Sequence, residues 1–301
     1  MPVDADNPLV RLLRSERDVG RMRRRPRRMP PQRFPRRTQR EYARRLESLV
    51  DRFEDMLGER MEELGDLADE AARAREDAVR ADASGGRRAR EIINEVWARF
   101  GRQVDIETEA QTIAGDIAEQ VEREDRRMLR RQLERGLGVS AEAVDGLLST
   151  GRIMEFVDGF VAENTDLITN VPQRVKDDVS QATTRAMQDG LTRRELSAEI
   201  RERVGMGRNR ARLIARDQTG KLKGQLNRAR QKSLGIDEYR RRTASDERVR
   251  ESHDELDGQV FSWDDPPAVG HPGEDYQCRC GADPVMDEII AVAKQLEAEA
   301  A

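Results

Sequence analysis

The stretch Asp246–Cys280, DERVRESHDELDGQVFSWDDPPAVGHPGEDYQCRC, decides the fold. Both histidines of the chain, His253 and His271, lie in it, as do both cysteines, Cys278 and Cys280. Trp263, one of two tryptophans, and the Pro266-Pro267 pair are here too. Ser245 or Asp246 can cap a short helix, because a side-chain oxygen satisfies a free backbone N–H of the first turn. Val249, His253 and Leu256 recur at helical spacing, which predicts a half-buried face for His253. Asp257-Gly258 ends that helix, since glycine accepts positive φ without steric cost. Gln259 to Trp263 alternates polar with apolar residues and predicts a strand. The proline pair forbids regular structure. Tyr276 to Cys280 is a second strand candidate, and the phase of His253 predicts that it is buried close to these cysteines.

Just outside this stretch, Asp237 to Thr243 alternates through Tyr239 and Arg241. A small α+β unit is therefore expected over residues 237–286. Upstream, the pattern is helical. The predicted fold class is mainly α, with long helices and a helical bundle followed by this small C-terminal α+β unit.

The order Asp246, Arg248, His253, Gly258, then Pro272-Gly273, then Cys278-Arg279-Cys280 with Pro284-Val285, resembles the phage Mu F-like minor head proteins, the phage head morphogenesis family. Arg212-Leu-Ile-Ala-Arg-Asp-Gln-Thr219, Asn227-Arg-Ala-Arg230 and Leu234-Gly-Ile236 add to the likeness, as do Glu163-Asn164 and Asp166-Leu-Ile168. The resemblance covers roughly residues 154–286 and not the first third of the chain. It implies a minor head protein of the virion, present in few copies, assembled in the bacterial host cytoplasm and placed at the portal inside the procapsid. The implied partners are the portal protein, the major capsid or scaffolding protein, and packaged DNA. It implies no enzyme activity.

The clustered ligands leave three chemical readings open. His253, His271, Cys278 and Cys280 could form a two-His, two-Cys zinc set. One intervening residue between cysteines is not the usual finger spacing, but alternate residues of a strand share a face. Alternatively, His253 could act as a base with Asp246, Asp254 or Asp257, although no nucleophile elbow or phosphate loop accompanies it. In the third reading His253 and Arg248 make hydrogen bonds inside the unit, the cysteines are buried thiols, and Arg248 and Arg250 pair with acidic neighbours. A nucleic-acid-binding protein with a zinc-stabilised C-terminal unit is the functional alternative to the head protein.

Composition agrees with long amphipathic helices rather than one large core. Charged residues make up 38% and aromatics 4% of the 301 residues, with mean hydropathy −0.85. No apolar run suggests a transmembrane helix, and no apolar segment near Met1 suggests a secretory signal, so no membrane partner is expected. Two cysteines one residue apart bond only with strain, which favours reduced thiols. The net charge of −4 hides an asymmetry: residues 1–40 hold thirteen Arg against Asp4, Asp6, Glu16 and Asp18. The Arg-rich arm, residues 1–38, is expected to be disordered in isolation and to dock on packaged DNA or an acidic surface through Arg11–Arg37. Within it, Leu9–Leu13 could form a small docking helix.

The remaining divisions are a helical hairpin or bundle over 39–137, the helical part of the Mu F-like region over 138–236, and a final helix over 287–301. One long helix is predicted from Thr38 to Ala83. Its Leu46, Val50, Phe53, Leu57, Leu64 and Leu67 keep heptad spacing, Arg60 interrupts the seam, and Ser84-Gly85-Gly86 ends it. Packing within its own hairpin is preferred to a coiled coil with a partner. Helices 87–103 and 105–136 complete the bundle, and Ser140 caps a short helix. Separate helices are predicted over 153–162 and from Asn170-Val-Pro172 to Gln188. Thr192 and Glu195 form a capping box, and Gly205 and Gly207 separate the next helix from 208–234.

Overall fold

Apolar residues recur at helical spacing over most of the chain, and the architecture follows from that. The computed structural model describes residues 3–18, 28–76, 84–148 and 152–300. Among these it has ten helices and one three-stranded sheet. The helices are α1 (Pro8–Asp18), α2 (Arg36–Gly58), α3 (Met61–Glu76), α4 (Ser84–Gln103), α5 (Ile106–Leu137), α6 (Ala141–Leu148), α7 (Arg152–Asp189), α8 (Arg193–Ser233), α9 (Glu251–Asp254) and α10 (Asp287–Ala300). The strands are β1 (Glu238–Arg242), β2 (Val260–Ser262) and β3 (Gly281–Pro284), all antiparallel in the order β2-β1-β3. The fold is mainly α with a small C-terminal sheet, as the periodicities predict.

The chain divides into two units that are not sequential segments. Unit 1 is Met1–Thr38, Asp116–Phe160 and Asp217–Ala301; unit 2 is Gln39–Gly115 and Val161–Arg216. In unit 2, Leu46, Val50, Phe53, Leu57 and Leu64 are buried within the chain itself. Phe53 meets Trp97 and Phe100 edge-on, with centroids 5.7 and 5.9 Å apart. The predicted long helix is two helices, α2 and α3, because the chain turns at Glu59-Arg60. There Arg60 reaches Glu63 at 2.6 Å and Glu95 at 3.0 Å. Ser84-Gly85-Gly86 opens α4 rather than closing the preceding helix; residues 77–83 lie outside the described residues.

Two predicted breaks are absent. α7 runs through Pro172, at a site where proline costs about 3 kcal/mol. Buried Ile168, Val171, Val175 and Val179 continue one stripe across it, and that packing outweighs the lost bond. α8 runs through Gly205 and Gly207. A Cβ at Gly207 would stand 2.3 Å from Val175 Cγ2, so this glycine brings two helices together rather than ending one. The capping box at the start of α8 forms as predicted: Thr192 N–H and hydroxyl donate to Glu195 Oε2 at 2.9 and 2.8 Å.

The arm is not the disordered segment that its charge predicts, where it is described. Asn7 caps α1, its Oδ1 accepting from Leu9 N–H at 2.9 Å. Leu9, Val10 and Leu13 then pack with Leu129, Leu133, Val144, Leu148, Ile289 and Ala293 in the core of unit 1. Burial of these leucines and valine offsets the ordering entropy, which a charge count does not register. The predicted Leu9–Leu13 helix thus packs into the chain's own core. Gln32 is also buried and donates its N–H to Asp283 Oδ1 at 2.6 Å. The Arg-rich run over residues 19–27 lies outside the described residues.

Candidate metal centre

The site is built on β1 and on a glycine face of α8. Tyr239 and Arg241 alternate on β1 with their side chains fully buried, as the period-2 pattern predicts. Tyr239 stacks near Trp263, centroids 4.2 Å apart, and Ala282 of β3 completes this small core. The Trp263 indole N–H donates to Gln231 Oε1 of α8 at 3.1 Å. Gln231 Nε2 in turn donates to Asn227 Oδ1 at 2.8 Å and to the Ala282 carbonyl at 2.9 Å. Asn227 donates to Asp125 of α5, and Arg230 reaches Asp125 and Glu122, the latter at 2.6 Å. Asn227 and Arg230 belong to the Asn-Arg-Ala-Arg motif, and they tie the sheet to α5 and α8.

The loop that carries the cysteines lies on α8 at Gly220 and Gly224. A Cβ at Gly220 would meet the Cys278 carbonyl at 2.5 Å, and one at Gly224 would meet the Pro272 carbonyl at 2.2 Å. Asp217 Oδ1 of α8 accepts from Gln277 N–H at 2.7 Å. Gln277 has φ +55, so the chain turns left-handed just before Cys278. The predicted strand over 276–280 is therefore a turn followed by an extended loop, and β3 begins only at Gly281. The helix carrying His253 is shorter than predicted. Residues 246–249 form a turn, in which Asp246 Oδ1 accepts from Arg248 N–H at 3.2 Å, and α9 spans only Glu251–Asp254.

His253, Cys278 and Cys280 come together in the interior. His253 Nδ1 lies 3.8 Å from Cys278 Sγ and 3.5 Å from Cys280 Sγ. All three are buried, and their ligand atoms lie within 4.8 Å of one another. His253 Nε2 is 2.9 Å from Asp275 Oδ2. A carboxylate only accepts, so this contact places the ring proton on Nε2 and leaves the Nδ1 lone pair facing the sulfurs. Arg250 holds Asp275 at 2.5 Å. The Arg241 guanidinium stands 3.3 Å from His253 Nδ1 and donates to the Gly270 carbonyl at 2.8 Å. The S–H of Cys280 holds the Cys278 thiolate, with the Gly273 N–H and Arg241 assisting, so Cys278 titrates below the ordinary thiol range. Cys280, facing that thiolate and buried, is pushed up. Lys223 of α8 is also buried near the sulfurs, and desolvation lowers its pKa. This group could hold a metal ion.

The structure does not bring His271 to the group. His271 is buried beside Trp263, ring centroids 5.1 Å apart, and its Nδ1 bonds the Tyr239 hydroxyl at 2.9 Å. Burial lowers its pKa. Asp246, one of the candidate partners of a His253 base, instead grips Arg279 with two bonds of 2.6 Å. Arg250 pairs with an acidic neighbour as expected, and the Asp246–Arg279 pair explains why the residue between the cysteines is an arginine. Sequence reasoning missed Asp275, Arg241 and the glycine pair. The four-residue spacing of Gly220 and Gly224 on a helix was the available signal for the last.

Comparison with known proteins follows the same residues. Residues 177–282 match the family model described as "Phage Mu protein F like protein". That span contains His253, Cys278, Cys280, Asp275 and the Asn227–Arg230 network. Over 191 residues the chain is 35% identical to an uncharacterized protein of Haemophilus influenzae. The aligned stretch covers 63% of this chain and 42% of that protein. No solved structure matches the chain. The likeness to the phage Mu F-like proteins thus rests on residues 177–282.

Proposed function

We propose that the chain is a minor head protein of a phage virion, acting in head morphogenesis while bound to the portal inside the procapsid. The observation that carries this reading is the family match over 177–282, which encloses the whole His253–Cys278–Cys280 group. The further partners in this reading are the major capsid or scaffolding protein and packaged DNA. No described helix is long and apolar enough to cross a membrane. The test is co-expression with a phage portal protein and major capsid protein. Capture of the portal protein by the tagged chain, and the presence of the chain in heads purified from that expression, are expected. Heads that form at normal yield without it, and never contain it, would overturn the reading.

The small unit takes zinc in this reading. Bonds of ~2.3 Å to sulfur and ~2.0–2.1 Å to nitrogen at a tetrahedral angle separate N from S by about 3.6 Å. The 3.5 and 3.8 Å separations fit that requirement. His253, Cys278 and Cys280 would be the ligands, and Asp275 would fix the imidazole tautomer, as carboxylates do behind metal-bound histidines. Bound there, zinc would supply a cross-link between α9 and the cysteine loop. Metal analysis of the purified chain should give close to one zinc per chain, lost in Cys278→Ser but retained in His271→Gln. Retention in Cys278→Ser would remove the zinc reading and leave the head-protein reading standing.

A further inference from the structure

A second site lies in unit 1, on the far side of Arg279 in the sequence motif, where six arginines wall one cleft. Arg28 and Arg33 come from the extended segment before α2, Arg36 from its first residue, and Arg135 from the end of α5. Arg242 ends β1, and Arg279 stands between the cysteines. The cleft has a volume of about 970 Å³, and backbone and small polar groups of Thr243 and Ser245 also line it.

The arginines divide into two sets. Arg279 and Arg36 are braced by Asp246, at 2.6 and 3.1 Å, and Arg242 is braced by Asp283 at 2.8 Å. Those carboxylates are already committed. The Asp246 carboxyl is held well below the usual range, first by Arg279, and Asp283 also accepts from Gln32 and Gln132. Asp257, the other acidic residue of the cleft, accepts from Thr243 N–H at 2.7 Å. Arg28, Arg33 and Arg135 are exposed and have no carboxylate partner among the described residues. Against Asp246, Asp257 and Asp283 the six arginines leave a surplus of three positive charges.

We infer that this cleft holds the phosphate backbone of DNA. Planar guanidinium forks match phosphate oxygens in pairs, and the braced arginines present theirs with little ordering left to lose. Arginines dominate the polar part of the lining, and Phe34 is its one aromatic residue, so the site reads phosphate rather than base sequence. Naming DNA as the polyanion rests on the head-protein reading; the charge surplus does not.

The test uses the full chain and a 20-base-pair duplex of mixed sequence, with binding measured by fluorescence anisotropy over a salt series. On duplex DNA each neutralised phosphate contributes about 0.9 to the slope of log affinity against log salt. The triple variant Arg28→Gln/Arg33→Gln/Arg135→Gln should flatten that slope by about 2.7, three contacts' worth. The control Arg87→Gln/Arg88→Gln/Arg201→Gln removes the same charge from exposed positions of unit 2 and should leave the slope as it was. Equal flattening by both variants would mean that net charge alone acts, and would overturn the site. An unchanged slope in the cleft variant would overturn it too, as would a cleft that takes a poly-glutamate peptide but not the duplex. Portal capture, measured on the same two variants, reports separately on the head-protein reading and should not change.

Discussion

The two units bury different kinds of residue. In unit 2 the buried polar residues are Asn164, Thr165 and Thr183, all uncharged. Among the described residues every buried charge lies in unit 1: Asp125, Asp217, Lys223, Arg230, Arg241 and Asp283. Unit 2 keeps its ions at its surface, as in the Arg208–Asp51 pair at 2.7 Å and the Arg193–Asp69 pair at 3.2 Å. Burial of leucine, valine and phenylalanine is non-directional and tolerates repacking. A buried hydrogen-bond network does not, because each member left without its partner keeps its desolvation cost. Unit 2 is therefore held by area, and unit 1 is held in one particular arrangement by directional bonds. A site that needs three ligand atoms within a few ångströms is found where the second principle operates.

The largest effect should come from cutting the network at Arg230. Removing one partner of a buried ion pair costs about 3–5 kcal/mol, because the other charge stays behind. Arg230→Ala would leave Asp125 buried with only Asn227 to serve it. Replacing both, as Arg230→Met with Asp125→Leu, should recover most of that loss in urea denaturation. A single variant as mild as a surface substitution would break the contrast drawn above. In unit 2, Leu57→Ala should cost about 2–5 kcal/mol through cavity formation alone, with no partner variant that rescues it by charge.

This difference also decides what the sequence discloses. The heptad seam of Leu46 to Leu67 is visible in the sequence because burial by area leaves a periodic apolar trace. β1 and β2 are legible for the same reason, through Tyr239, Phe261 and Trp263. The network is not, since Asn227, Arg230 and Gln231 look like the solvated face of a polar helix until Asp125 is brought against them from a hundred residues away. His253 beside Cys278 and Cys280 was legible from rarity and phase. Its orienting Asp275 was not, because acidic residues are common in that window. His271 has the right chemistry for a ligand but is taken by the Tyr239 hydroxyl and Trp263, a competition only the folded sheet defines. Pro172 and Gly207 misled because local propensity was overridden by the packing stripe around Val175.

Glycines sharpen the comparison at a smaller scale. Gly224→Ala puts a methyl 2.2 Å from the Pro272 carbonyl, a backbone atom of the cysteine loop. Overpacking of this kind costs about 1–3 kcal/mol, and here it pushes the loop off α8. Gly115→Ala in α5 meets nothing within 4 Å and should raise stability by about 1 kcal/mol through helix propensity. Thermal melts of the two variants should therefore move in opposite directions. Equal and harmless shifts would mean that the loop does not need its close seat on the helix.

The smallest effect separates the units by pH. Unit 2 contains no histidine, whereas His271 sits in the aromatic core of unit 1. Burial lowers its pKa, and the charges around it act in both directions: Glu274 favours the imidazolium, while Arg228 and Arg241 oppose it. The neutral Tyr239 hydroxyl occupies its Nδ1, and a hydrogen bond with the Trp263 backbone offsets the burial only in part. With the folded pKa depressed, the unfolded chain binds the proton first, so stability falls as pH drops below about 6.5, the unfolded value. Above that value both states are neutral and the contribution is flat. In unit 2 the perturbed groups that titrate on the acid side are Asp69, Asp105 and Glu195, each lowered by hydrogen bonds from Arg193, Thr108 and Thr192 respectively. Their stabilisation is complete above the ordinary carboxylate range and is lost only below about pH 4.5. Denaturation followed between pH 7 and 5 should therefore weaken unit 1 before unit 2. Since metal release by protonation would act in the same direction, wild type and His271→Gln are compared with the metal removed by chelation. The variant should lose the His271 part of the pH 5.0–6.5 slope, leaving a shallower one to which the Cys278 thiol contributes, and keep the one below 4.5. If the two proteins trace the same curve, His271 is solvated in the folded chain, and the aromatic core of unit 1 is more open than its ring contacts imply.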